Sequence, residues 1–218
     1  SDSSPEKAWY RRYGKDRDCW ARLVVCIRGV NDVHEALPTA LKRLQSGNRF
    51  VLAGLGDSLT KGWMVSRGFF DRFVDGLEGT FEKAEIERIN DGVPGSTAAE
   101  GLRRLGHLLQ SNPELVLVQF GLNDCFSGVP IKDFLDAYGQ MMNTILQEGR
   151  VPLLLTSCPV QDSEFDEAVL EFYSGILKLG RMSGVPVADL ATFWREHERE
   201  YKDALYQFDG VHPTDSGH

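Results

Sequence analysis

The sequence predicts an α/β fold, with a central parallel sheet of about five strands and helices on both faces. Three observations predict it. Two short apolar runs, 50–55 and 115–120, have almost no polar position to turn toward water and read as strands buried on both sides. Segments with apolar residues at helical spacing separate these runs from further strand candidates, and such alternation builds a parallel sheet. The length, 218 residues, suits one domain with a substantial core better than two small ones.

Residues 1–17 are polar and rich in Arg, Lys and Asp, with Trp9, Tyr10 and Tyr13 interspersed, and are expected to be poorly ordered or loosely docked. Trp20, Leu23, Val24 and Ile27 recur at helical spacing, as do Val33, Ala36, Leu37, Ala40, Leu41 and Leu44. Asn31 or Asp32 is a candidate cap for the second of these helices and Gly47 its stop, while Pro38 offers an alternative start. The run 50–55 is the first strand and leads straight to Gly56, Asp57 and Ser58. Residues 84–89 alternate more weakly and form a second strand candidate. Thr97 and Glu100 make a capping box ahead of Leu102, Leu105, Leu108 and Leu109, a helix. Asn112 and Pro113 turn the chain into the strand 115–120, which Gly121 ends. A helix over 131–147 closed by Gly149, a strand over 151–156, a helix over 163–182 closed by Gly184, a strand over 185–190 and a short helix over 191–201 follow. No repeat or low-complexity tract interrupts this order.

Composition narrows the function. A net charge of -8 repels phosphate backbones, so nucleic acid is a poor partner, and the charge reads as a soluble surface. No apolar run is long enough to span a bilayer. Cys19, Cys26, Cys125 and Cys158 form no CxxC pair, and Cys19 and Cys26 on one helix would sit two turns apart, beyond disulfide reach. Free thiols favour a reducing, cytoplasmic setting. The polar start from Ser1 to Pro5 lacks the apolar core of a signal peptide, and a secreted or periplasmic setting stays open if a signal was removed upstream. No metal or other cofactor is expected: Asp209, His212, Asp215 and His218 come nearest to a ligand set, and nothing completes it.

In a parallel sheet the reactive groups belong at the C-terminal ends of the strands. Ser58 follows the first buried strand at a strand-to-helix turn, where a hydroxyl can project over the sheet edge; taken alone it reads as readily as a helix cap. Asp209 and His212 stand three apart, so one turn can bring the carboxylate to Nδ1 and leave Nε2 to a nucleophile; alone they read equally as surface residues near the chain end. Asn123, after the strand 115–120, can offer its amide to a developing oxyanion, or simply make an Asx turn. Gly95 can offer its backbone N–H near the start of the helix capped by Thr97, or belong to an ordinary loop. Together these positions supply a nucleophile, a base, an orienting acid and oxyanion donors, the set that acyl transfer needs.

Four blocks also resemble a family. Gly56-Asp57-Ser58-Leu59, Asn90 with Gly92 and Gly95, Gly121 with Asn123-Asp124, and Asp209 with His212-Pro213 are similar, in order, to the blocks of GDSL/SGNH hydrolases. The resemblance runs from Phe50 to His218 and implies a flavodoxin-like three-layer α/β/α sandwich with esterase, lipase or acetylesterase activity on a small-molecule ester. It implies Ser58 as nucleophile, His212 as base and Asp209 as its orienting acid. The N–H groups of Ser58 and Gly95 and the side chain of Asn123 would form the oxyanion hole. It divides the chain into an N-terminal helical extension, 1–48, and an SGNH hydrolase domain, 49–218, and leaves the oligomeric state open. Family members continue past the His block with a further helix, and the two N-terminal helices are expected to cover sheet surface which such a helix would protect. The elbow of α/β-hydrolases does not fit, because Thr60 stands where its second Gly belongs.

Other residues carry weaker signals. Cys125 reads as an inert thiol. Lys61, Trp63 and Met64 are candidates for the cleft entrance, and Phe126, Phe165, Phe172 and Tyr173 for an acyl or leaving-group pocket or for plain core packing. An acyltransferase on the same scaffold and a catalytically silent carbohydrate- or lipid-binding module are the competing functions. A phosphate binder would want a glycine-rich loop where Asp57 places an acid. With no long apolar lid segment, a small or accessible ester is expected over emulsified triglyceride.

Overall fold

The computed structural model describes residues 36–218. The expected loosely docked start, the helix through Trp20 and Ile27, the cap at Asn31 or Asp32, and Cys19 and Cys26 lie outside the described residues. Five parallel strands, β1 (Arg49–Gly56), β2 (Glu85–Gly92), β3 (Leu115–Gln119), β4 (Val151–Leu155) and β5 (Val187–Ala188), lie in the order β2-β1-β3-β4-β5. This is the flavodoxin-like order, in which the winding reverses between β1 and β3 and leaves a crevice beyond their C-terminal ends. Both Gly56 and Gln119 end their strands there, paired in register.

Strand side chains alternate between the two faces, and the core divides accordingly. On one face, Phe50, Leu52, Leu115, Leu117, Val151, Leu153 and Leu155 pack with Ala40 and Leu44 of α1 (Ala36–Ser46) and with Phe70, Val74 and Leu77 of α3 (Phe69–Thr80). On the other, Ala53, Leu55, Val116, Val118 and Leu154 pack under α4 (Ala98–Leu109), α6 (Ile131–Gln147) and α7 (Ser163–Ser183). Short helices α2 (Ser58–Lys61) and α5 (Leu122–Phe126) follow β1 and β3, and α8 (Leu190–Leu205) follows β5. The three-layer arrangement expected from the sequence is the one observed.

Local signals account for most boundaries. The capping box of Thr97 and Glu100 forms, with the Thr97 N–H donating to Glu100 Oε2 at 2.9 Å. Asp162 caps α7 by accepting from the N–H groups of Glu164 and Phe165, and Gly184 closes it. Three elements differ from expectation, the first being α5, which forms where only an Asx turn or loop was read. The strand over 185–190 shrinks to β5, because Pro186 contributes only its carbonyl to Leu154 and Asp189 already caps α8 by accepting the Thr192 N–H. Helix α3 was not foreseen. Its glycines, Gly76 and Gly79, weaken its propensity, yet Phe70, Val74 and Leu77 recur on one face and are buried. Phe70 lies so close to β1 that a Cβ at Gly54 would fall 2.7 Å from its ring.

Candidate active site

β1 delivers Ser58 to the crevice. The Asp57 carboxylate accepts the Leu59 N–H at 2.9 Å and caps α2, so Ser58 sits in the first helical turn, where its N–H has no carbonyl one turn back to bond. The hydroxyl of Ser58 faces the ring of His212, with Oγ 2.9 Å from Nε2.

His212 comes from a loop folded on itself. Tyr206 bridges Pro213, the Gln207 N–H donates to the His212 carbonyl at 2.8 Å, and Gly210 donates back to Gln207 at 3.0 Å. The Gln161 N–H donates to the Gly210 carbonyl at 2.9 Å and ties this loop to the segment after β4. Asp209 Oδ1 accepts the N–H groups of Val211 and His212 at 3.0 and 2.9 Å, and Oδ2 lies 2.7 Å from His212 Nδ1. A carboxylate only accepts, so the neutral ring carries its hydrogen on Nδ1 and offers a lone pair at Nε2 to the Ser58 hydroxyl. Burial alone would raise the Asp209 carboxyl, but the bonds from His212 and Val211 outweigh it and hold it below the ordinary value.

Gly95 and Asn123 stand beside this arrangement. The Ser96 N–H donates to the Val93 carbonyl at 3.1 Å, with Pro94 and Gly95 as the central residues of a β-turn. Gly95 has φ +79, the conformation a type II turn requires there, and open space where a Cβ would be. Asn123, on α5, donates through Nδ2 to the Ser96 carbonyl at 3.1 Å. An amide nitrogen carries two hydrogens, so a second remains for a ligand. The fixed turn, the head of α2 and this amide are the kind of preorganised donors that stabilise an oxyanion.

Behind the site, Gln119 and Arg104 went unnoticed in the sequence, and Asp124 was named only as part of a block, without a role. Gln119, the only polar side chain of β3, is buried; it donates to Asp57 Oδ2 at 3.2 Å and to Ser157 Oγ at 2.6 Å, and accepts from Thr60 Oγ1 at 2.7 Å. A polar residue inside an apolar strand must find partners, and that was the available signal. Asp124 is buried and accepts the Ala98 N–H at 3.0 Å, joining the Asn123 helix to the start of α4; burial pushes its carboxyl up to about 6. Arg104 reaches Asp91 Oδ2 at 3.1 Å, Ser96 Oγ at 2.8 Å and the Gly56 carbonyl at 3.2 Å, which pins the Gly95 turn to the end of β1. An Arg in a helix gives no such hint in sequence.

The weaker candidates divide. Phe172 and Tyr173 are core residues, and the Tyr173 hydroxyl donates to the Cys158 carbonyl at 3.2 Å. Phe126 and Phe165 are exposed, as are Trp63 and Met64. Cys125 is partly buried, which pushes its thiol up. Asp215 turns away to accept from Ser66, and His218 Nδ1 accepts the Phe69 N–H at 3.2 Å.

Comparison with known proteins gives the class. Residues 55–218 match the GDSL-like lipase/acylhydrolase family. An arylesterase from Vibrio mimicus is 26% identical over 164 residues, 73% of this chain and 78% of its own length. The thioesterase 1/protease 1/lysophospholipase L1 of Escherichia coli is 30% identical over 163 residues, 73% of this chain and 74% of its own. A two-domain esterase active on acetylated mannans shares the fold with a TM-score of 0.70 at 21% identity, over 85% of this chain and 50% of that one. The chain thus spans about half the length of that solved structure. The protein is a carboxylic-ester hydrolase. It belongs to the GDSL-like lipase/acylhydrolase family, as its four ordered blocks led us to expect.

Proposed function

We propose that this protein hydrolyses carboxylic esters, with short acyl, acetyl or lysophospholipid-type substrates in view, through a Ser58–His212–Asp209 triad and an acyl-enzyme. The observation that carries the reading is the unbroken line of hydrogen bonds from Asp209 Oδ2 through His212 to Ser58 Oγ. Serine is a weak nucleophile until a base takes its proton. His212 Nε2 takes it as Oγ attacks the carbonyl carbon, and Asp209 stabilises the imidazolium that results. The negative oxygen is held by the N–H groups of Ser58 and Gly95 and by the Asn123 amide. His212 then protonates the leaving alcohol, and a water activated in the same way releases the acid and restores Ser58.

The test is hydrolysis of p-nitrophenyl acetate together with labelling by a fluorophosphonate. The protein should hydrolyse the ester and be labelled at Ser58, and Ser58→Ala should lose both while keeping its melting temperature. An active Ser58→Ala variant would overturn the assignment, and failure of the native protein to label would favour a silent binding module.

A further inference from the structure

The three groups assigned to the oxyanion hole come from three separate segments. Ser58 follows β1, Gly95 lies in the turn after β2, and Asn123 belongs to α5. Sheet pairing sets β1 against β2 as far as Gly56 and Gly92. Beyond that pair the ladder ends, and the Gly95 turn needs other holds.

Arg104, on α4, supplies them. Its Nη1 donates to Ser96 Oγ at 2.8 Å, and its Nε donates to Asp91 Oδ2 at 3.1 Å. Nη2 has two hydrogens and reaches two carbonyls, that of Gly56 at 3.2 Å and that of Asp91 at 3.3 Å. The Gly56 carbonyl also accepts the Val93 N–H at 3.0 Å, which fixes the head of the turn to the same atom. Ser96 is the link to the remaining donors. It is buried, it directly follows Gly95, and its carbonyl accepts from Asn123 Nδ2 at 3.1 Å. Ser58 is thus held through Gly56, and Gly95 and Asn123 are held through Ser96, by one planar group.

A partly exposed ion pair such as that of Arg104 with Asp91 adds little to the stability of a fold. A rigid guanidinium fork does something else: it fixes the mutual placement of the groups it bonds. We infer that Arg104 is a positioning residue for the oxyanion hole. It sets the separation of the Ser58 and Gly95 N–H groups and the aim of the Asn123 amide, acting through Gly56 and Ser96. Asp91 pairs with the guanidinium, so the contribution is the geometry of the fork rather than its charge. This rests on the esterase reading above and deepens it.

The experiment measures kcat, KM and melting temperature for the native protein, Arg104→Ala, Arg104→Lys and Ser96→Ala, with p-nitrophenyl acetate as substrate. Removing one oxyanion donor costs about 100- to 1,000-fold, and displacing the donors should cost part of that. In Arg104→Ala, kcat should fall about 10- to 100-fold with KM within about twofold of native. Arg104→Lys keeps the charge but cannot span three segments, so its kcat should fall about tenfold or more. Ser96→Ala frees the turn from the guanidinium and should lower kcat by a smaller factor. The Arg104 side chain is 26% exposed, so a small ion can enter the space it leaves. Millimolar ethylguanidinium should raise the kcat of Arg104→Ala about fivefold or more, and ethylammonium should not. A residue that only stabilised the fold would lower the melting temperature and leave both the kcat of the folded enzyme and this rescue unmoved.

Native kcat in folded Arg104→Ala or in Arg104→Lys would overturn the inference, as would a loss confined to KM or equal rescue by the two ions. Should Arg104→Ala fail to fold, Arg104→Lys and Ser96→Ala decide, and native kcat in both overturns it. A native protein that neither hydrolyses the ester nor takes a fluorophosphonate at Ser58 would sink the esterase reading. A native protein that does both, with variants that match it, would sink the role of Arg104 alone.

Discussion

Gln119 holds the Asp57 carboxylate from the neighbouring strand, with Nε2 3.2 Å from Oδ2, directly beneath the turn that carries Ser58. The same side chain reaches Thr60 and Ser157, so one amide ties together the ends of β1, β3 and β4. Polar networks of this kind fix geometry when every member is satisfied and cost stability when one is removed.

Gln119→Leu keeps the volume and removes the bonds. It should leave Asp57, Thr60 and Ser157 short of partners, at a cost of about 1–3 kcal/mol in urea unfolding. Because Gln119 acts through Asp57 and α2, kcat on p-nitrophenyl acetate should fall about tenfold or more, with KM little changed. Loss of stability with unchanged kcat would make Gln119 a plain structural residue.

Burial pushes the Asp57 carboxyl up from 3.8 to about 7. Between those values the folded protein keeps a proton that the unfolded chain has released. Stability from this group is therefore fully present below the unfolded value and is lost as pH rises through the window. Asp57→Asn removes the titration. The variant should gain on the native protein by roughly 2–4 kcal/mol between pH 4 and pH 8 in denaturant unfolding. Parallel stability curves would show that Asp57 titrates normally.

Asp209→Asn tests the orientation of His212. The amide oxygen can still accept from Val211 and His212, so the loop should keep its fold. Its NH₂ would donate to Nδ1 and drive the ring hydrogen onto Nε2, where it opposes the Ser58 hydroxyl. We expect kcat to drop about 100- to 10,000-fold with a melting temperature within a few degrees of native.

Asn123→Ala should lower kcat about 100- to 1,000-fold with little effect on KM, if the amide acts on the transition state. A matching rise in KM with unchanged kcat would place Asn123 in ground-state binding instead.

Leu44→Ala tests whether α1 is part of the sheet's cover. Leu44 is buried with Phe50, Leu52 and Phe70, so truncation should cost about 2–5 kcal/mol. A cost below about 1 kcal/mol would make α1 a dispensable appendage.

Much of the fold was legible because its signals are local. The buried strands β1 and β3, the capping box at Thr97 and the stop at Gly184 all lie within a few residues of what they control. Helix α3 was hidden because packing of Phe70 on β1 outweighs the poor propensity of its glycines. The positions of Ser58, Gly95, Asn123, Asp209 and His212 could be named because each lies in a short motif. The roles of Gln119, Asp124 and Arg104 were not read, because their partners come from other elements.

By itself the sequence determined the alternation of strands and helices, the capping box at Thr97 and the order of the four blocks. Those are properties of neighbouring residues, and one-dimensional pattern records them. Only the tertiary structure decided that Ser58 and His212 meet across 154 residues, that Asp57 is buried, and that Phe126 finds Phe165. Sheet order brings such groups together, and desolvation acts on them only once the whole interior has closed around them.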